Sequence, residues 1–243
     1  MDVGREARSR EVGEFGAVQA IVRGITALAG RPAALLTSAA LGAGIFVVAF
    51  APQQALDAFF EEAALEPAWV LLLESGVGAA SFMLVTLLWL GLFRLSLLAL
   101  RDQPIVARDA FPLAAVVSGG AVSLVTGVLM QAGLLLLIVP GLLVAVTTAL
   151  AQHFVLDKNL GPVAALQASW TATRGRWLAV GAVLVIPAAP LLAGAVHITL
   201  AWREGNHPSL VVIGVVGAVA VPSMAAALSA AYEDLWPHAR PSA

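Results

Sequence analysis

The chain has 243 residues, of which 60% are hydrophobic before glycine is counted and 12% are charged, with a mean hydropathy of +0.92. Soluble domains carry about a quarter charged residues, so this composition belongs in a bilayer. The net charge of -2, with 13 basic residues not gathered into one patch, excludes nucleic acid as a partner, and the lack of cysteine excludes disulfides, thiolate metal sites and thiol nucleophiles.

Residues 1–31, with Arg5, Arg8, Arg10, Arg23 and Arg31 beside four acids, read as a cytoplasmic amphipathic segment. A transmembrane domain over 32–236 follows, then a cytoplasmic tail over 237–243. The first span covers about 33–51. Ala49-Phe50-Ala51 fits a small-residue cleavage pattern, but the charged region before the run is long for a signal peptide, so an uncleaved helix is expected. Pro52 to Ala68 holds Asp57, Glu61, Glu62 and Glu66 and no base, and Leu56, Phe59, Phe60 and Ala63 recur at helical spacing, as in a short amphipathic helix on the outer leaflet. The second span covers about 69–93. The next apolar stretch, Pro112 to Leu156, has 45 residues and would run about 67 Å as one helix, twice the hydrocarbon thickness. It must fold back, at Gln131 to Gly133 or at Pro140-Gly141, giving spans near 112–132 and 134–156. Spans at about 177–200 and 210–231 complete six.

With the N-terminus inside, 12 of the 13 basic residues lie on the cytoplasmic side and only Arg203 falls outside. Both termini are then cytoplasmic. Trp69 and Trp202 fall at outer span ends and Trp177 and Trp236 at inner ends, where indole rings collect.

A repeat is suggested by Gly16–Leu35 (GAVQAIVRGITALAGRPAAL) and Gly161–Val180 (GPVAALQASWTATRGRWLAV), which match at eight of 20 positions. Each is an amphipathic segment ending in Gly-Arg before a span. Arg94 to Phe111 would be a diverged third copy.

Val139 to Val180 contains Pro140-Gly141, an apolar run, the acid Asp157, a Gly161-Pro162 entry, then Ser169-Trp170 and Gly175-Arg176-Trp177. This stretch resembles the membrane domain that accompanies some bacterial glycerophosphodiester phosphodiesterases, and related uncharacterised six-span bacterial inner-membrane proteins. The resemblance implies a membrane module in the bacterial inner membrane. The catalytic domain of those enzymes is missing here and could not fit, so their activity and metal do not transfer.

Few residues are left for chemistry. Glu74 is the acid deepest in an expected span, where an ionisable group is costly and often functional. His153, beside Gln152, lies near the inner end of the fourth span, and His197, Glu204 and His207 share the outer side, without the spacing of a helical metal site. No nucleophile elbow or Walker loop occurs. Gly42-Ala43-Gly44, Gly76-Val77-Gly78 and Gly214 to Gly217 suit close helix packing. Pro162 to Arg174 reads as an interfacial helix bracketed by Gly161-Pro162 and Gly175, and Trp170, Arg174, Arg176 and Trp177 are candidates for contact with anionic phospholipid. Pro140, Gly141, Gly161 and Pro162 are the candidate turn residues.

The expectation is therefore an all-α polytopic protein, six transmembrane helices arranged as three hairpins with cytoplasmic interfacial helices. It is non-enzymatic and without a cofactor, an envelope scaffold or a lipid- or protein-binding module, with a protein partner or homo-oligomer left open. The alternative is a small-molecule or ion transporter, for which Glu74, Gln131, Thr147, Thr148 and Gln152 would line one cavity.

Overall fold

The computed structural model describes residues 16–62, 67–106, 109, 111–203 and 210–236. Every regular element among them is helical: α1 (Ala17–Ala29), α2 (Pro32–Glu62), α3 (Pro67–Leu100), a 3-10 turn (Leu113–Ala115), α4 (Val116–Leu136), α5 (Ile138–Thr148), α6 (Ala151–Lys158), α7 (Pro162–Thr173), α8 (Trp177–Arg203) and α9 (Leu210–Leu235). Among the described residues, four stretches are long and apolar enough to cross a membrane: Pro32–Ala49, Ala68–Leu100, Leu113–Leu136 and Ile138–Lys158. Helices α8 and α9 have 27 and 26 residues. Arg5, Arg8, Arg10, Glu66, Arg108, Glu204, His207 and the tail lie outside the described residues, as do the side chains of Asp57, Glu61, Glu62, His197 and Trp202.

The fold-back in the long apolar stretch uses neither expected place. Helix α4 runs through Gln131 and Gly133 to Leu136, and one extended residue, Leu137 (φ -165°, ψ 150°), separates it from α5. Pro140 sits in the first turn of α5, where its missing N–H has no intrahelical acceptor to lose. Gly141 is buried against Gly133, and a Cβ on Gly133 would stand 2.7 Å from the Gly141 nitrogen, so the two small residues let the arms close just inside the break. The acidic outer segment differs too. Rather than forming a separate helix, residues 52–62 continue α2, with Pro52 inside it.

Consecutive helices pair, α2 with α3, α4 with α5 and α8 with α9, and the pairs close on one another in a ring: α3 meets α4, α5 meets α8, and α9 meets α2. The second arm of each pair supplies most of the core. Buried residues run from Leu88 to Ala99 on α3, from Val146 to Val155 on α5 and α6, and from Ala220 to Leu235 on α9. The other half of α3, Trp69 to Leu84, is exposed or half-buried. Packing is therefore concentrated at one end.

The short helices follow the same ring. Helix α1 packs on α9, and α7 packs on α6. Their backbones make equivalent hydrogen bonds at the aligned positions of the repeat: Ala20 N to Gly16 O and Ala165 N to Gly161 O, Arg31 N to Leu28 O and Arg176 N to Thr173 O, Leu35 N to Arg31 O and Val180 N to Arg176 O. Ala20, Gly24 and Leu28 are buried on α1, and their aligned partners Ala165, Ser169 and Thr173 are buried on α7. The similarity ends at the glycines, since Gly30 is right-handed and Gly175 has φ +79°. Asp102 to Phe111 forms no α-helix among its described residues, so the third copy does not share this backbone.

Ser169 explains how α5 and α6 can be offset. The ladder breaks at Ala149-Leu150, and the Ser169 hydroxyl accepts from Leu150 N (3.2 Å) while donating to Thr147 O (2.7 Å), all buried. Ser169→Ala leaves both backbone groups unpaired, and is expected to destabilise by about 1–3 kcal/mol. Thermal unfolding in mild detergent reads this. A midpoint equal to that of the wild type would mean that water replaces the hydroxyl.

Candidate functional site

Charged side chains converge where the second arms end. Arg101, just past α3, spreads its guanidinium between two helices: Nη1 donates to Asp157 Oδ1 on α6 (2.6 Å), and Nη2 to Glu233 Oε1 on α9 (2.6 Å). Asp157 also receives Lys158 Nζ (2.8 Å) and the Tyr232 hydroxyl (2.8 Å). A fork of planar donors suits two carboxylates held at fixed angles, which a lysine could not match. The hydrogen bond that Arg101 donates to Asp157, with that to Glu233, holds Arg101 protonated beyond even the usual guanidinium range, despite partial burial. Two further arginines fasten α1 and α2 to this end. Arg23 bonds Ala230 O and Asp234 on α9, and Arg31 bonds Leu98 O, Gln103 O and Asp102 beyond α3.

One turn deeper lies an aromatic layer. His153 is fully buried, its ring 4.4 Å from that of Phe93 and stacked 5.3 Å from Tyr232, with Nε2 3.0 Å from Ser229 Oγ. Its Nδ1 has no partner. Phe154 meets Tyr232 edge-on at 5.0 Å. His153 is thus a packed core residue bonded to one hydroxyl, and no group of three or more acids or histidines converges on a metal position among the described residues. Glu74, in the second turn of α3, is half-buried and reaches no ion pair among the described residues.

Beyond this layer a cavity of about 450 Å3 opens between all three helix pairs, floored by Trp89 and Phe93 and touched by Thr86, Ser123, Thr126 and Gln152. Gln152 Nε2 donates to Ser123 Oγ at 2.5 Å. Of the five polar residues expected to share a transport path, Thr148 and Gln152 line this cavity, while Glu74, Gln131 and Thr147 do not. Thr147 and Thr148 bond back to carbonyls of their own helix.

A separate groove of about 550 Å3 lies on the bundle's surface between α4, α5 and α7, lined by Leu129, Val144, Leu166 and Trp170. Trp170 is 54% exposed, Trp177 44% and Leu178 93%. Gly161 caps α7 and Pro162 opens it. Arg174 is exposed and Arg176 half-exposed. Arg23, Arg31, Arg94, Arg101 and Lys158 each bridge to an acid, whereas among the described residues no ion pair reaches Arg174 or Arg176. Comparison with protein-family models, curated proteins and solved structures finds no match.

Proposed function

We propose that the chain is a non-enzymatic module of the bacterial inner (cytoplasmic) membrane, with six spans arranged as three hairpins and both termini cytoplasmic, that binds anionic phospholipid at its cytoplasmic rim and acts there as an envelope scaffold. One contrast carries the reading. Aligned arginines of the repeat have different fates: Arg31 is consumed by Asp102 and two carbonyls at the end of α3, while Arg176, with its neighbour Arg174, meets no carboxylate among the described residues. Exposed Trp170 and Trp177 flank this pair, and an apolar groove of acyl-chain character adjoins it. Indole at the interface, guanidinium at headgroup level and hydrocarbon beneath are the three layers of a phospholipid.

A transporter needs a continuous polar path, and Glu74 and Gln131 lie off the cavity that Thr148 and Gln152 line. Basic residues near an anionic surface gain about 1 kcal/mol each, roughly fivefold in affinity. The variant Arg174→Gln/Arg176→Gln should therefore lose at least tenfold in retention of phosphatidylglycerol over phosphatidylcholine, read by native mass spectrometry from mixed nanodiscs. An unchanged ratio would sink the proposal.

A further inference from the structure

The arginine pair at the rim has a geometry of its own. Arg174 N bonds Trp170 O (3.1 Å), so Arg174 still follows helix α7 and continues the face on which Leu166, Gln167, Trp170 and Thr171 line the surface groove. There the helix stops. Arg174 takes φ -57° and ψ 127°, Gly175 has φ +79°, and Arg176 N bonds Thr173 O at 3.0 Å. These angles and this closing hydrogen bond are those of a type II β-turn, whose third position needs a residue with positive φ. Arg174 and Arg176 therefore stand no more than about 7 Å apart at Cα. A closed turn joins them, not a free loop.

The first copy of the repeat lacks this device. Ala29 stands where Arg174 does, Gly30 is right-handed, and the one arginine there, Arg31, is held by Asp102. In the second copy no acid occurs between Asp157 and Glu204, so neither helix joined by the turn can neutralise the pair. Two like charges held this close repel, and two anionic groups at matching spacing relieve the repulsion. Apolar surface flanks the turn on both sides: Trp170 and the groove toward α7, and exposed Trp177 and Leu178 at the start of α8.

We infer that this turn is a site for a lipid carrying two phosphates on one bridging glycerol, the cardiolipin class. One phosphate sits on Arg174 and the other on Arg176, with acyl chains along the groove and along the first turns of α8. The inference rests on the anionic-lipid reading of the rim and adds to it the kind of headgroup. A lipid with one phosphate satisfies both arginines only when two molecules gather there, whereas in a two-phosphate lipid the second contact is intramolecular. A soluble bisphosphate would meet the guanidinium groups but leave the apolar surfaces on either side uncovered.

The test places the full chain in phosphatidylcholine nanodiscs doped with tetraoleoyl cardiolipin or dioleoyl phosphatidylglycerol at equal phosphate, and counts retained lipids by native mass spectrometry. The second arginine contact is worth about fivefold, so the wild type should retain cardiolipin at least about fivefold better per phosphate. A Cβ on Gly175 meets no atom within 4 Å, so Gly175→Ala probes the backbone angle alone, and alanine rarely adopts it. This variant keeps both charges. It should cut the cardiolipin preference below about twofold while leaving phosphatidylglycerol over phosphatidylcholine unchanged. Gly175→Asn, which tolerates positive φ, should keep the wild-type preference, and excess inorganic pyrophosphate should not displace the lipid. Equal retention per phosphate in the wild type overturns the two-phosphate site. So does a preference that survives Gly175→Ala or is lost equally in Gly175→Asn, and so does displacement by pyrophosphate. None of these outcomes alters the preference for phosphatidylglycerol over phosphatidylcholine, whose loss on replacing both arginines tests the rim itself.

Discussion

Replacing Arg101 with methionine is expected to be among the most damaging single changes in the protein. Asp157 is 9% exposed, and Arg101 is its partner from another helix; Lys158, the adjacent residue, cannot tie α6 to α3. Removing one member of a buried pair costs about 3–5 kcal/mol where the charge left behind is neither hydrated nor paired. Here the cost should be lower, about 2–3 kcal/mol, since Asp157 keeps Lys158 Nζ and the Tyr232 hydroxyl, and Arg101 is 31% exposed, so that water screens part of the interaction. The loss should appear as a lowered thermal midpoint in detergent and reduced yield of monodisperse protein. Arg101→Met/Asp157→Asn should recover part of it, because the stranded carboxylate becomes neutral, and the double variant should cost less than the two single changes added. Strict additivity, or a midpoint within experimental error of the wild type for Arg101→Met alone, would show that Arg101 and Asp157 do not act as one unit.

This cluster was legible in the sequence only after the fact. Arg101, the pair Asp157-Lys158 and the pair Glu233-Asp234 each fall at the C-terminal end of an apolar stretch, and their charges are complementary. Counted by side, such residues merely orient a membrane protein; that they meet requires the three second arms to share an axis, which no single-chain periodicity reports. His153 was visible as a polar residue in an apolar run, but its burial between Phe93 and Tyr232 depends on α3 and α9, distant in sequence.

The all-helical class and the apolar stretches followed directly from composition and run length, because a bilayer leaves the backbone few alternatives. Local geometry was harder. The break at Leu137 lies between two sites that turn chemistry and span length each favoured, and of the Pro-Gly dipeptide it is the glycine, packed against Gly133, that lets the two arms approach. Glycine was an equally mixed signal. Gly42 and Gly217 do mark a close approach of helices, whereas Gly76 and Gly78 face open space and pack against nothing within 4 Å.

Gly24 supplies the sharpest test of how helix α1 docks on α9. A Cβ at this position would stand 2.3 Å from the carbonyl oxygen of Ala226 and 2.5 Å from its carbon, both backbone atoms of α9. Contacts that short cannot be relieved by a rotamer change, so one helix must move. In an exposed helix, glycine to alanine gains up to about 1 kcal/mol from propensity, while overpacking a rigid contact costs about 1–3 kcal/mol and more when backbone must shift. The clash should win, and Gly24→Ala should destabilise, with Gly24→Val worse still. Its aligned counterpart Ser169 occupies the same place on α7 and touches the backbone of α5 and α6 through its hydroxyl, so the repeat uses one small residue for two kinds of close contact. Gly44 and Gly181 are the controls. A Cβ at either meets a side-chain methyl at ordinary distance, 3.7 Å from Leu88 and 3.6 Å from Val146, so alanine there should be neutral or stabilising. If Gly24→Ala unfolds at the same temperature as Gly44→Ala, helix α1 is not docked on α9.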